Sequence, residues 1–150
     1  MTYALQVTLE NSHVIGDDQL FAAVVRKGPC GVALNSSYKN RENLQTIDEL
    51  GNLILNISRI VPSNSGVLVF FPSYAALSSY TERWRKGTVW ERINGHKQIF
   101  VEPRESGSFK MAVTAYTDEV TRAHAPILLA SCVRWGLRAA MPGAPPKQNL

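Results

Sequence analysis

The residues from Val67 to Phe71 are apolar at every position, and the run stops abruptly at the polar turn Pro72–Tyr74. A continuous apolar run of this length predicts a central parallel strand that is covered on both faces, whereas a half-exposed strand would alternate. A second β-rich segment, Gln98–Val101, ends in the same way at Glu102–Arg104. The two segments therefore predict parallel strands whose ends open into polar turns.

The segment after Thr46 has the clearest helical pattern in the chain. Thr46 and Glu49 have the spacing of a capping box, in which each side chain bonds a free amide of the first turn. Apolar residues then recur every three or four positions as far as Val61, and Pro62 ends the pattern. This pattern predicts a helix with one face against a core.

Two further helices are predicted after the two strands. Ser73 is placed to cap the first, which ends at Gly87, and Ser108 is placed to cap the second. A last buried strand is predicted at Ile127–Ala130. Strands that alternate with helices of this length are typical of an α/β fold with a parallel sheet. Right-handed crossovers then put the carboxyl ends of the strands along one edge.

The two ends of the chain are less regular. The apolar run from Gln19 to Val25, followed by Arg26–Pro29, predicts a short strand and a turn. Residues 31–43 are polar and rich in Ser and Asn, which predicts a loop. Residues 131–150 include several prolines and no acidic residue, which predicts a disordered tail.

Composition narrows the class of protein. Residues 1–58 carry a net charge of −2 and residues 59–150 carry +6. A basic half suits a polyanionic partner, and an ordinary solvated surface would look the same. No apolar stretch approaches the roughly 20 residues of a membrane span, and no secretory signal pattern opens the chain. Two cysteines cannot form a disulfide framework, so a reducing intracellular compartment is expected.

Three residues at the strand ends are candidates for binding a phosphate backbone. Ser73 lies at a helix start, where amides can hold an anion, Tyr74 could stack on a base or sugar, and Arg104 carries a planar fork of donors. Each also has a purely structural interpretation: a helix cap, a packed ring, and a surface arginine paired with Glu102 or Glu105. The residues by themselves favour the structural interpretation.

Basic residues alternate with tryptophans between the two strands, a pattern that suits single-stranded nucleic acid. The group consists of Arg83, Arg85, Lys86, Arg92 and Lys97 with Trp84 and Trp90. Trp84 falls on the apolar face of its helix and is predicted to be core. The three histidines, His13, His96 and His124, lie apart and are predicted to be surface residues. Neither cysteine has the surroundings of a nucleophile, and no Gly-x-x-x-x-Gly-Lys-Ser/Thr phosphate loop occurs.

Several runs, in their order and spacing, resemble one family of proteins. They are Leu9–Ile15, Gly28–Gly31, Leu34–Arg41, Gly66–Tyr74, Lys97–Arg104 and Ser108–Phe109. Together they are similar to the second motor domain of the iron–sulfur DNA helicases of the XPD type. The likeness is greatest to the telomere-elongation and Fanconi anaemia group J branches, and it covers residues 9–130.

The resemblance implies a RecA-like parallel sheet flanked by helices, the second-domain fold of P-loop NTPase helicases. It also implies a nuclear, ATP-driven motor that moves five-prime to three-prime on single-stranded DNA, in DNA repair or telomere maintenance. The Gly66–Tyr74 run is similar to the fourth helicase motif, so Ser73 and Tyr74 inherit a DNA-contact role and Arg104 a weaker one. With this support the binding interpretation is preferred for Ser73, and both interpretations stay open for Tyr74 and Arg104.

The chain also departs from the family. Intact members hold ATP, Mg²⁺ and an iron–sulfur cluster, but the phosphate loop, acid box and cluster cysteines belong to the first motor domain and do not occur here. After Ala130 the family continues with Val-Cys-Arg-Gly-Lys and later Ser-Glu-Gly, whereas this chain reads Ser131-Cys-Val-Arg-Trp-Gly136. We therefore expect a domain that is incomplete at its C-terminal end, with an out-of-frame tail as one explanation of residues 131–150.

The preferred interpretation is a fragment of a DNA helicase that grips the DNA backbone and shows no ATPase activity by itself. Its expected partners are single-stranded DNA and the first motor domain, with no membrane, and no cofactor or metal is expected in this chain. Two alternatives stay open. In the first, the chain is a non-catalytic module that binds single-stranded nucleic acid or has a regulatory role. In the second, it is a truncated product without a function.

Overall fold

Three short parallel strands form the centre of the part of the chain that the structure describes. The computed structural model describes residues 16–37 and 39–132. Strand β1 spans Val67–Phe71, β2 spans Ile99–Val101 and β3 spans Ile127–Ser131. Both β1 and β2 pair in parallel with β3, so the strand order is β1-β3-β2. The last of the three described strands is therefore the central one.

Four α-helices connect and cover the strands within the described ranges. Helix α1 (Leu44–Ile60) precedes β1, α2 (Tyr74–Lys86) and α3 (Val89–Asn94) connect β1 to β2, and α4 (Ser106–Thr121) connects β2 to β3. A single 3₁₀ turn, Asp17–Gln19, precedes them. The two crossovers run in opposite directions across the sheet. Right-handed crossovers that run in opposite directions place their helices on opposite faces of a sheet.

The main core lies between the sheet and the helices α1, α2 and α3. Phe71, Tyr80 and Trp84 pack together there with ring centroids 5.5 to 6.1 Å apart. The indole N–H of Trp84 donates to the backbone oxygen of Ile47 at 2.8 Å. Its prediction as a core residue is confirmed. The other buried members of this cluster are Ile54, Leu55, Leu77, Ile93, Ile127 and Leu129.

Helix α4 covers the opposite face of the sheet. Phe100 of β2 meets Tyr116 of α4 edge to face, with the ring centroids 6.4 Å apart. Just before β1, the helix approaches Gly66 so closely that a Cβ atom there would stand 2.0 Å from the Tyr116 hydroxyl oxygen. Glycine allows this close approach because it has no Cβ atom to meet the Tyr116 side chain.

The prediction that β1 is a central strand covered on both faces is wrong. Leu68 and Phe70 are 46% and 43% exposed, so the burial of β1 alternates. Among the described strands β1 pairs only with β3, which makes it an edge strand of the described sheet. The fully buried strand is β3, at all five positions.

Helix α1 begins two residues before Thr46, and the predicted capping box is wrong. Asn43 is the cap, since its side-chain oxygen accepts from the amides of Gln45 at 2.9 Å and Thr46 at 3.3 Å. Glu49 points elsewhere and accepts from the amide of Cys30. Asparagine caps a helix as well as threonine or better, so the earlier cap prevails.

The predicted strand Gln19–Val25 is also wrong. After the 3₁₀ turn this segment has no regular secondary structure. Its side chains are exposed to solvent, with Leu20 70% and Phe21 90% exposed. Within the described residues it has no neighbouring strand. The nearest β contact is an isolated antiparallel bridge between Lys27 and Ala33. Residues 31–37 and 39–43 form bends and turns, as the predicted loop requires.

Most other boundaries agree with prediction to within a few residues. Helix α4 starts at Ser106, with Glu105 in the cap position and no side-chain cap bond, so the prediction of Ser108 as the cap is wrong. Helix α3 is an addition that no pattern predicted. Strand β3 runs through Ser131, where the tail was predicted to begin. Residues 133–150 of that tail, the Leu9–Ile15 run and His13 lie outside the described residues.

Candidate nucleic-acid interface

The carboxyl ends of the three strands meet along one edge of the sheet. Helix α2 begins three residues after the end of β1, and α4 begins five residues after the end of β2. Both helix N-termini therefore lie at this edge, which confirms the predicted arrangement of the two junctions. Unpaired amides and the positive end of the helix dipole favour an anion at such positions.

Ser73 is the N-cap of α2, as predicted. Its backbone is extended, with φ −157° and ψ 162°, and its side-chain oxygen accepts from the amide of Ala76 at 3.2 Å. A serine hydroxyl that accepts in this way still has its own hydrogen to donate. Ser73 can thus cap the helix and bind a phosphate oxygen at the same time.

Tyr74, the first residue of α2, is half-buried and packs against the main core. Its hydroxyl donates to the Oε1 atom of Glu102. The polar end of this side chain is therefore directed at the end of β2. This contact concerns the hydroxyl group, whereas a stacking role would use the face of the ring.

Glu102 joins the ends of all three strands. It directly follows β2, its side chain is only 3% exposed, and its Oε1 atom accepts from Tyr74 beyond the end of β1. Its Oε2 atom accepts from the amide of Ser131 at 2.6 Å, at the end of β3. A buried carboxylate needs such donors because burying an unpaired charge is costly.

Sequence reasoning considered Glu102 only as an ion-pair partner of Arg104 and missed this role. One signal was available, an acidic residue directly after a buried strand, where its charge must be satisfied inside the fold. Arg104 itself is exposed and lies in the turn from β2 into α4. The fold therefore brings Ser73, Tyr74 and Arg104 to the same edge of the sheet.

Comparison with known proteins decides the family. Residues 54–136, more than half of the chain, match the family model of the helicase C-terminal domain. The chain belongs to the helicase C-terminal domain family. The predicted resemblance to the second domain of a DNA helicase is thereby confirmed, as is the predicted α/β class with a parallel sheet.

Similar curated relatives include proteins named "Regulator of telomere elongation helicase 1" and its homologs. The chain is 44% identical over 120 residues to the "Regulator of telomere elongation helicase 1 homolog" of Arabidopsis thaliana, covering 76% of this chain and 11% of that protein. It is 45% identical over 119 residues to the homolog of Oryza sativa subsp. japonica, covering 73% and 12%. The Mus musculus protein is 39% identical over 120 residues, covering 80% and 10%. The chain spans about a tenth of the length of the curated relatives it matches.

The basic and aromatic group of this helicase C-terminal domain does not form one surface. Arg83 makes two hydrogen bonds to the carboxylate of Asp48, at 2.9 and 2.7 Å, and this partner raises the pKa of the guanidinium. Lys97 is buried, and its Nζ atom donates to the backbone oxygen of Val61 at 2.9 Å. Burial lowers the pKa of Lys97. Both side chains hold the domain together internally.

Arg85 and Trp90 of that group contact each other away from the strand-end edge. The guanidinium carbon of Arg85 lies 4.4 Å from the ring centroid of Trp90, a cation–π contact. Lys86 and Arg92 are exposed and close to them in sequence. Arg85 is twelve residues along α2 from its cap, roughly 18 Å at the rise of an α-helix. We refer to Arg85 and Trp90 as the α2–α3 surface.

Metal-ligand side chains and Cys30 are the other groups of chemical interest among the described residues. No three His, Cys, Asp or Glu side chains among them lie close enough together to hold a metal ion. His96 and His124 are exposed, as predicted. A hydrogen bond and the charge of Glu49 raise the pKa of the Cys30 thiol, which disfavours the reactive thiolate. None of the described helices is both long and apolar enough to cross a membrane.

Proposed function

We propose that this domain grips the backbone of single-stranded DNA at the strand-end edge of its sheet, as one part of an ATP-dependent DNA helicase. A single observation carries the proposal. In a member of the helicase C-terminal domain family, two helix N-termini, the Ser73 hydroxyl and the exposed Arg104 share one edge. Phosphate contacts carry no sequence information, which suits a motor that must move along any sequence.

The names of the relatives extend the proposal to the whole protein. We infer a nuclear helicase in telomere maintenance or DNA repair that moves five-prime to three-prime, with residues 9–130 as the helicase domain in this chain. ATP would bind between this domain and a first motor domain, which would also supply the phosphate loop, the Mg²⁺ ligands and the iron–sulfur cluster. Closure of the two domains on ATP would then move the DNA.

Several groups at the strand-end edge would bind a phosphate together. The Ser73 hydroxyl would donate to a phosphate oxygen while it caps α2, and the first amides of α2 would add partial positive charge. Arg104 would supply two parallel donors to a second oxygen or to the next phosphate. These interactions require no bond to be made or broken in this domain.

The test is the affinity of the full 150-residue chain for a fluorescein-labelled oligothymidine, measured by fluorescence anisotropy. We expect the affinity to fall with rising salt, because phosphate contacts release counterions. Ser73→Ala and Arg104→Ala should each weaken binding by about tenfold or more, because a hydrogen bond to a charged group is worth about 1.5–3 kcal/mol.

Two matched controls accompany these variants. Ser79→Ala removes an exposed serine from the same helix, and Arg59→Ala removes an exposed arginine at the end of α1, near the opposite edge of the sheet. Both should bind DNA like the parent chain. Equal affinities of all four variants would contradict the site, and absence of salt-dependent binding in the parent chain would contradict the function.

A second candidate function is a single-strand-binding module that works without a motor. The contact between Arg85 and Trp90 favours it, because basic residues beside aromatic rings are typical of such modules. Under this alternative Arg85→Ala weakens DNA binding and Arg104→Ala does not. The proposed helicase grip gives the reverse result.

A further inference from the structure

A single buried carboxylate ties the two halves of the strand-end edge together. Glu102 receives the Tyr74 hydroxyl on one oxygen and the Ser131 amide, at 2.6 Å, on the other. Its own backbone N–H donates to the oxygen of Leu129 at 2.9 Å, which continues the pairing of β2 with β3. Its side-chain partners are 28 and 29 residues away in the sequence. Such a connection fixes tertiary geometry rather than local structure.

The groups that Glu102 holds are neighbours of the proposed phosphate contacts. Tyr74 directly follows Ser73, so fixing the Tyr74 hydroxyl fixes the first turn of α2 and the direction of its cap. Arg104 lies two residues beyond Glu102 in the same short turn. The separation between the serine hydroxyl and the arginine therefore depends on the bond between Tyr74 and Glu102.

We propose that Glu102 is a positioning residue for the DNA backbone, and that Tyr74 contributes to DNA binding through its hydroxyl bond to Glu102 and not by stacking on a base. The inference rests on the proposed function. Glu102 does not touch the DNA in this account. It holds Ser73 and Arg104 at the spacing that two contacts to the DNA backbone need. The ring of Tyr74, packed against the core, connects Glu102 to the start of α2.

Removal of one hydroxyl group separates the two possible roles of Tyr74. Tyr74→Phe keeps the ring and loses the bond to Glu102, so positioning predicts a loss of oligothymidine affinity of about five- to tenfold. Stacking predicts no loss. The matched control is Tyr80→Phe in the same helix, which loses a hydroxyl bond of 3.1 Å to the backbone oxygen of Arg41 and should leave the affinity unchanged.

A conservative replacement of Glu102 provides a second test of the positioning role. In Glu102→Gln, the amide oxygen can accept from Ser131 and the amide nitrogen can donate to the Tyr74 hydroxyl oxygen, so the connection survives without the charge. We expect this variant to bind within about threefold of the parent chain, and Glu102→Ala to lose as much affinity as Tyr74→Phe. Circular dichroism confirms that each variant is folded at the temperature of the measurement.

The outcomes distinguish this inference from the proposed function. A weaker Tyr74→Phe beside an unchanged Tyr80→Phe supports it. If Ser73→Ala and Arg104→Ala weaken binding while Tyr74→Phe does not, the DNA grip stands and the positioning role is overturned. Equal losses in Tyr74→Phe and Tyr80→Phe also overturn it, since they indicate general destabilisation. A parent chain without salt-dependent binding overturns both.

Discussion

At the scale of single residues, some side chains have the role that the sequence pattern predicts and others do not. Ser73 could be predicted as a cap because its partner, the Ala76 amide, lies three residues away. Glu102 could not be predicted in its role, because Tyr74 and Ser131 are distant in sequence and only the sheet brings them to it. The role of Ser73 as a cap was therefore predictable, and the bonds of Glu102 to the neighbouring strand ends were not.

The glycine before β1 gives a stability prediction. In Gly66→Ala, the new methyl group would meet the Tyr116 hydroxyl oxygen at 2.0 Å and the Val120 side chain at 3.0 Å, so the packing of these side chains of α4 must shift. We expect a loss of about 1–3 kcal/mol in the free energy of unfolding, measured by urea denaturation. Gly87→Ala is the control, because the atoms nearest to its added Cβ are 3.8 Å away. A Gly66→Ala chain as stable as Gly87→Ala would contradict the packing of α4 described above.

A carboxylate at the end of α4 gives a pH prediction. Glu119 bonds His124 at 2.6 Å and Arg122 at 2.8 Å, and the bond to His124 is the larger cause of the lowered pKa of this carboxyl. Because the folded pKa lies below the unfolded value of 4.5, Glu119 stabilises the fold above pH 4.5. That stabilisation is lost as the pH falls through the lowered pKa.

Urea denaturation at several pH values tests this linkage. The parent chain should be more stable than Glu119→Gln near neutral pH, and the difference should shrink in the acid range below the ordinary carboxyl pKa. Ser79→Ala, at an exposed position on α2 that carries no titratable group, is the control and should differ from the parent chain by the same amount at every pH. A difference between parent and Glu119→Gln that stays constant with pH would rule out the linkage.

At the scale of secondary-structure elements, the sequence pattern located most of the described helices and strands, but it misassigned two helix caps, one strand and the central strand of the sheet. The helical period after Thr46 and the apolar run Val67–Phe71 predicted a helix and a strand that both exist. Which strand is central depends on pairing, and the short run Ile127–Ser131 took that place. The apolar segment Gln19–Val25 shows the same limit, because an apolar run becomes a strand only where a neighbour pairs with it.

Helix caps provide the prediction at this scale. Asn43→Ala should cost about 1 kcal/mol in the free energy of unfolding, because two amides of the first turn of α1 lose their acceptor. Ser108→Ala should cost at most about 0.5 kcal/mol, because Ser108 lies inside α4 and is not its cap. Thermal denaturation followed by circular dichroism compares the two. A larger cost at Ser108 would mean that α4 begins where its sequence pattern suggested.

At the scale of the whole molecule, the doubly wound order β1-β3-β2 determines where function can lie. It gathers the strand ends and the starts of α2 and α4 at one edge, while the α2–α3 surface lies roughly 18 Å along α2 from there. The family match to the helicase C-terminal domain makes DNA the partner to test at that edge. The central claim is therefore that DNA binds at the strand-end edge.

The most direct test is an NMR titration of the ¹⁵N-labelled chain with an unlabelled oligothymidine. Each backbone amide reports its own change of environment, so the bound surface is read residue by residue. We predict that the largest shifts occur in the amides of residues 73–76, 102 and 104–107, at the two turns of the strand-end edge, and that they diminish with added salt. Shifts concentrated on Arg85 to Arg92, or no shifts at all, would contradict the proposed grip.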